Sequence, residues 1–223
     1  MLHASSPVPG VNLYDYRIEL MAKQVRELFG QVPGTLEEFA LASQASQAEA
    51  KKFFIELFRA SKWRRSGIIW WNLMDGWPQF SDAVVDYYFS RKLAYSFIKR
   101  SQEALCLVLQ EPQNWRQALV ACSDLRCDLP LEYTVRDVDS GEPLIQGRGV
   151  ARADAVTVLG QIPFSMGVRR FYLLAWQSDL GPGRNHCLAG NPPFDLARYR
   201  GWLERAGMLD KEWLEQGGFL NPC

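Results

Sequence analysis

The spacing of apolar positions changes character twice along this chain. Up to about residue 101 they recur at three and four, as on a helix face, interrupted by one continuous apolar run. From Glu103 to about 190 the period is two, with turn residues every few positions. From 191 onward the pattern is a loop followed by short helical stretches. A helical first part followed by an all-β part predicts two packed units rather than one continuous alternation of strands and helices.

The strongest helix signal covers 35–61. Pro33 and Gly34 stop whatever precedes, and Thr35 with Glu38 three residues on forms a capping box for the first free amides. Leu36, Phe39, Ser43, Ser46, Ala50, Phe53 or Phe54 and Leu57 then predict one apolar face, whose small middle lets a neighbour approach closely. Lys62, Arg64 and Arg65 suit the C-terminal end. Residues 67–73 (Gly-Ile-Ile-Trp-Trp-Asn-Leu) do not alternate, which predicts a strand covered on both faces, as in a parallel sheet. Asp75-Gly76-Trp77-Pro78 breaks the run, and a second helix over about 90–102 places Leu93, Ala94, Phe97 and Ile98 on one side. Helix, buried strand, loop and helix make the repeating unit of an α/β barrel.

Six strands are expected in the second part, over 104–109, 117–123, 131–138, 143–149, 155–162 and 170–177, with a hairpin turn at Asp139-Ser140-Gly141. Their spacing predicts an antiparallel, immunoglobulin-like sandwich. Pro192-Pro193 stiffens the exit, Asp195 can cap a helix bearing Leu196, Tyr199, Trp202 and Leu203, and Asp210 can cap a last short one.

Composition narrows the function. The 25 basic and 25 acidic residues cancel, so no bulk attraction to nucleic acid or to an anionic membrane is expected. No apolar run approaches the roughly 18 residues of a spanning helix, and the N-terminus carries no signal-peptide pattern. Five scattered cysteines and two histidines form no metal-ligand or redox spacing, so no metal and no cofactor is expected. Free thiols in odd number favour a cytoplasmic setting. The aromatic content stands out instead: 8 Trp, 8 Tyr and 12 Phe, several of them bunched. In a barrel the reactive face lies at the C-terminal strand ends, here Trp71, Asn72, Asp75 and Trp77. Two indoles beside an amide and a carboxylate suit a sugar, whose C–H faces stack on rings while polar groups hold hydroxyls.

The block Ser66 to Arg100 resembles the last barrel strand and following helix of the β-mannosidase-like branch of glycoside hydrolase family two. Gly67, Trp71, Leu73, Asp75, Trp77, Pro78, Val85, Asp86, Tyr87, Tyr88, Lys92, Ala94, Tyr95, Lys99 and Arg100 match its pattern. Asn72, Met74 and Leu93 depart from it, standing where the pattern has Gln, Asn and Pro. The stretch 43–50 with Arg59 is similar to the preceding barrel helix, and 184–196 with Tyr199 to the segment after the sandwich. The resemblance implies an end of a (β/α)8 TIM barrel over 1–101, an immunoglobulin-like β-sandwich over 102–190 and a helical tail over 191–223.

It also implies a retaining exo-β-glycosidase working through two carboxyl groups about 5 to 5.5 Å apart. In the family these are the Glu of an Asn-Glu pair and a Glu often following Ser; neither dipeptide occurs here. Both catalytic positions are therefore expected upstream of Met1, leaving no catalytic residue and no activity in this chain alone. Glu37, Glu38, Glu49 and Glu56 read as a solvated helix face, and His186 as a buried hydrogen-bonding group. Trp71 is expected as the sugar platform, with Asn72, Asp75 and Trp77 beside it as further substrate-binding residues. Incomplete barrel edges imply self-association. The alternative reading is a non-catalytic carbohydrate-binding or protein-interaction sandwich.

Overall fold

The computed structural model describes residues 15–79 and 81–209, and the helix expected after Asp210 lies outside them. Helix α1 (Asp15–Phe29) leads through Pro33-Gly34 into α2 (Leu36–Arg59), and α3 (Leu93–Ser101) follows a long loop. Thr35 caps α2 as its spacing predicts, its Oγ1 accepting from the Glu38 amide at 3.3 Å. The strand expected over 67–73 does not form. Residues 66–70 run without a ladder, and the first pairings are isolated bridges, Met74 with Val85 and Val85 with Arg91. A strand needs hydrogen-bonding neighbours on its edges, and no closed barrel is present among the described residues to supply them.

Seven strands follow: β1 (Leu105–Leu109), β2 (Arg116–Ser123), β3 (Leu129–Asp137), β4 (Pro143–Ala151), β5 (Val156–Pro163), β6 (Arg170–Ser178) and β7 (Gly181–Ala189). They form two antiparallel sheets, ordered β1-β2-β5 and β4-β3-β6-β7, packed as a β-sandwich. Leu107, Leu119, Leu131, Val135, Leu174 and Trp176 fill its interior. The hairpin between β3 and β4 turns at Gly141, whose φ of 74° lies in the left-handed region a glycine adopts without strain. Strand β7 escaped the pattern because Gly-Pro-Gly-Arg-Asn-His-Cys-Leu-Ala carries no β-branched residue. Gly183 is required there: a Cβ would lie 2.1 Å from the Trp176 ring.

A second core joins the helices to the outer side of β6 and β7. Helix α4 (Leu196–Arg205), capped by Asp195 through the Arg198 amide at 2.7 Å, inserts Tyr199 and Trp202 into it beside Phe97 and Phe171. These four rings are essentially fully buried, each contributing on the order of 2–3 kcal/mol. Among the described residues no helix is long and apolar enough to cross a membrane.

The apolar face of α2 is a correction. The buried positions are Leu41, Ala42, Ala45, Ala48, Lys52, Ile55 and Glu56, whereas Leu36, Phe53 and Phe54 are exposed. At about 100° per residue the two sets lie nearly opposite each other around the helix.

Candidate functional site

The loop between α2 and α3 carries all four residues singled out as a sugar site. Its inner side is anchored by Ala83, Val84 and Leu93, which are buried. Short backbone pairings then set its shape: the amides of Val84 and Val85 donate to the carbonyls of Asn72 (3.2 Å) and Leu73 (2.9 Å), and the Asp75 amide donates back to Val85 (3.1 Å). Asp86 closes the far end, its Oδ1 accepting from the amides of Tyr88 (2.9 Å) and Ser90 (2.8 Å), the short-range bonding that lets Asp start a turn.

On this frame Trp71 is 72% exposed and Trp77 is 46% exposed. Asn72 is half-buried; its Nδ2 donates to Met74 O at 3.4 Å, and its Oδ1 is shielded from solvent without a hydrogen-bond partner. The peptide between Trp71 and Asn72 is cis. Asp75 sits inside the loop, its carboxylate taken up by Lys92 Nζ at 3.3 Å and Gln79 Nε2 at 3.2 Å. The structure thus brings Trp71, Asn72 and Trp77 to the outside of one loop and turns Asp75 inward beneath them.

Helix α2 holds the loop from behind. Gln44 Oε1 accepts from the Leu93 amide at 2.9 Å, capping α3 from another helix, since Lys92 at the N-cap position supplies no side-chain acceptor. Gln47 Nε2 donates to Asp82 O and Lys51 Nζ to Trp71 O, both at 2.6 Å. Beside this loop the exposed side of α2 opens as an apolar groove of about 1300 Å³, lined by Leu36, Phe39, Phe53, Phe54, Ile69 and Tyr87 among others.

The opposite side of α2 carries a buried polar network that periodicity did not reveal. Glu49 and Glu56, expected on a solvated face, are turned toward the sandwich. Glu49 Oε1 accepts from Tyr199 OH at 2.7 Å and lies 2.9 Å from His186 Nε2. Lys52 pairs with Glu56 at 2.7 Å, and Asn185 Nδ2 donates to Glu56 Oε1 (2.7 Å) and to Leu107 O (2.9 Å). The imidazole of His186 is stacked on Phe171 at 4.7 Å and met edge-on by Phe97.

Burial alone would raise the Glu49 carboxyl, but the hydrogen bond from His186, the Lys52 charge and the bond from Tyr199 hold it below the usual range. Burial lowers His186, and Glu49 offsets only part of that. Burial likewise opposes the charge on Lys52, yet Glu56 and Glu49 outweigh it and raise its pKa. Glu49 is therefore a carboxylate and His186 a neutral imidazole donating through Nε2, with Nδ1 buried and unpartnered. Such a network ties helix, sandwich and tail together, and Glu49 also reaches the lining of the groove. Asn185 and His186 were visible as polar residues within an otherwise packed segment, while their partners on α2 were not.

Among the described residues no group of three His, Cys, Asp or Glu is placed to hold a metal ion. The thiols of Cys106 and Cys122 face each other across β1 and β2. Burial pushes Cys122 up to about 12 and Cys106 well above its ordinary value, which leaves both as unreactive thiols.

No protein-family model matches this chain, and no curated protein matches it in sequence. Solved structures do share its fold. The β-D-mannosidase from Dictyoglomus thermophilum superposes on 79% of this chain and 22% of its own length, with a TM-score of 0.66 and 20% identity. The exo-chitosanase CsxA from Amycolatopsis orientalis covers 82% of this chain and 25% of its own, with a TM-score of 0.63 and 17% identity. A structure of the exo-β-D-glucosaminidase CsxA, described with its inhibition by a glucosamine-configured castanospermine and an amino-australine analogue, gives a TM-score of 0.61 at 18% identity over 76% of this chain and 21% of that one. This chain therefore spans about a quarter of the length of the enzymes whose fold it shares.

Proposed function

We propose that this chain is the C-terminal part of a β-mannosidase-like exo-glycosidase of glycoside hydrolase family two, a retaining enzyme acting on β-linked sugars. Residues 1–101 supply the end of its barrel, 102–190 an immunoglobulin-like sandwich and 191–223 the helical tail. The two catalytic glutamates belong to the remainder of the enzyme. This part contributes the wall of the sugar subsite: Trp71 as the stacking platform, Trp77 as a second wall, Asn72 as an amide partner for a hydroxyl, and Asp75 as the charge that holds the loop from within.

The observation that carries the reading is the two-sidedness of α2 and the run after it. One side of the helix is packed on the sandwich core; the other presents Leu36, Phe53 and Phe54 to solvent beside a fully exposed Ile69. A helix that buries one side and still presents large apolar side chains on another belongs inside a larger body, and an apolar run such as 67–73 belongs in a sheet with cover on both faces. The shared fold with enzymes more than three times as long points to the same completion.

The test is an assay on nitrophenyl glycosides, the β-mannoside included, with the isolated chain and with the same chain joined to its upstream barrel. The isolated chain is expected to be inactive and the joined protein active, with Trp71→Ala strongly impaired. Turnover by the isolated chain that disappears on a Glu→Gln change within residues 1–223 overturns the reading.

A further inference from the structure

The Trp71 platform has no strand beneath it. Residues 66–70 make no ladder, and the first backbone bond on this side of the loop begins at the Asn72 carbonyl. The direction in which an indole leaves the chain is set by its own peptide frame, before its side-chain torsions place the ring, so something else must hold the peptide between Trp71 and Asn72. One group does: Lys51 Nζ donates to the Trp71 carbonyl at 2.6 Å while lying 5.1 Å from the centre of the Trp70 ring. A single ammonium thus grips the carbonyl of one tryptophan and rests on the face of its neighbour.

Lys51 shares a stripe of α2 with Gln44 and Gln47, spaced three and four apart, and these bind the two later parts of the same loop, the Leu93 amide and the Asp82 carbonyl. Burial lowers the Lys51 pKa, with Asp82 returning part of the loss, so the ammonium has given up hydration in order to sit here. The stripe lies about 140° around the helix from Glu49, Lys52 and Glu56. The grip on the loop is therefore separate from the grip on the sandwich.

We propose that Lys51 is a positioning residue for the sugar platform, setting the orientation of Trp71 and Asn72 through the carbonyl they flank. This rests on the subsite reading above, and the experiment separates the two. The full chain is labelled with 5-fluorotryptophan, and the Trp71 fluorine resonance is identified by its loss in Trp71→Phe. In Lys51→Met the Trp71 resonance shifts and narrows as the ring is released, the Trp202 and Trp176 resonances stay in place, and the melting temperature holds. Lys51→Arg, which restores a charged donor, returns Trp71 to its original position. Methyl β-mannoside and methyl β-glucosaminide are then titrated against each variant, Lys51→Met being expected to bind the responding sugar roughly tenfold more weakly.

A Trp71 resonance unmoved by Lys51→Met overturns the proposal, as does one that moves only together with Trp202 and Trp176, which marks a general loosening. If Trp71 answers to Lys51 but neither sugar perturbs Trp71, the positioning role stands and the sugar-subsite reading falls.

Discussion

The two sides of α2 are built from different chemistry and do different things. Toward the sandwich the helix is small and charged: alanines 42, 45 and 48 let the neighbouring elements close in, Glu49 is met by His186 and Tyr199, and Glu56 by Lys52, Asn185 and Ser101. Toward the groove it is large and apolar, with Phe53 and Phe54 facing open space. Charged groups are tolerated in the interior only with partners of good geometry, so the first side is specified by its contacts. The second side holds apolar surface with no cover among the described residues, and its worth awaits whatever closes over it. Burial rather than hydrophobicity distinguishes the side that holds this structure together.

The largest effect expected from this contrast is on the polar side. Glu56→Ala leaves Lys52 and Asn185 buried without their partner, and the expected cost is about 3–5 kcal/mol, read as a lowered urea midpoint at unchanged slope. A loss below about 1 kcal/mol would show that water replaces the carboxylate and that the side is not specified by its pairing.

Next comes acid. His186, lowered by burial on the folded side, refuses a proton that the unfolded chain accepts below its ordinary value near 6.5; Glu49 is held below its ordinary 4.5. Both groups therefore stabilise the fold above those values and cease to do so as the pH falls toward their folded values. Stability is expected to decline from about pH 6.5 downward, by at most about 1.4 kcal/mol per pH unit for each titrating group. In His186→Phe the upper part of this slope, between about 6.5 and 4.5, should flatten, whereas an unchanged slope assigns the acid response to other groups.

The smallest effect on stability, and the clearest on behaviour, lies on the groove side. Replacing Phe53 and Phe54 together by Ser is expected to change the unfolding free energy by no more than about 0.5 kcal/mol, because both rings are already wet. It should also reduce self-association, measured by light scattering at rising concentration. A parent chain that stays a clean monomer at high concentration would contradict the idea that this face seeks cover.

Legibility followed the range of the forces involved. The capping of α2 by Thr35, the Asp139-Ser140-Gly141 turn and the Asp195 cap rest on neighbours a few residues apart, and all three were readable. Six strands announced themselves through alternation and turn chemistry, whereas β7, with two glycines and a proline, forms because β6 offers it a full antiparallel ladder. The run 67–73 shows the converse: strong strand propensity with no adjacent ladder leaves it unpaired. In the loop, local chemistry singled out Trp71, Asn72 and Trp77, of which the two tryptophans are exposed, but their support by Lys51, Gln47 and Gln44 was not readable. Those residues look like ordinary polar positions on a helix 20 to 50 residues away from what they hold.

The sequence by itself determined where helices and turns begin and the antiparallel character of the second part. Those features depend on backbone sterics and on side chains within reach of their own peptide groups. Only the tertiary structure decided which side of α2 is interior. Its pattern singles out the side bearing Leu36, Phe53 and Phe54, which the structure leaves exposed, and the interior side is chosen by Asn185, His186 and Tyr199, which lie 129 to 150 positions from the carboxylates they satisfy.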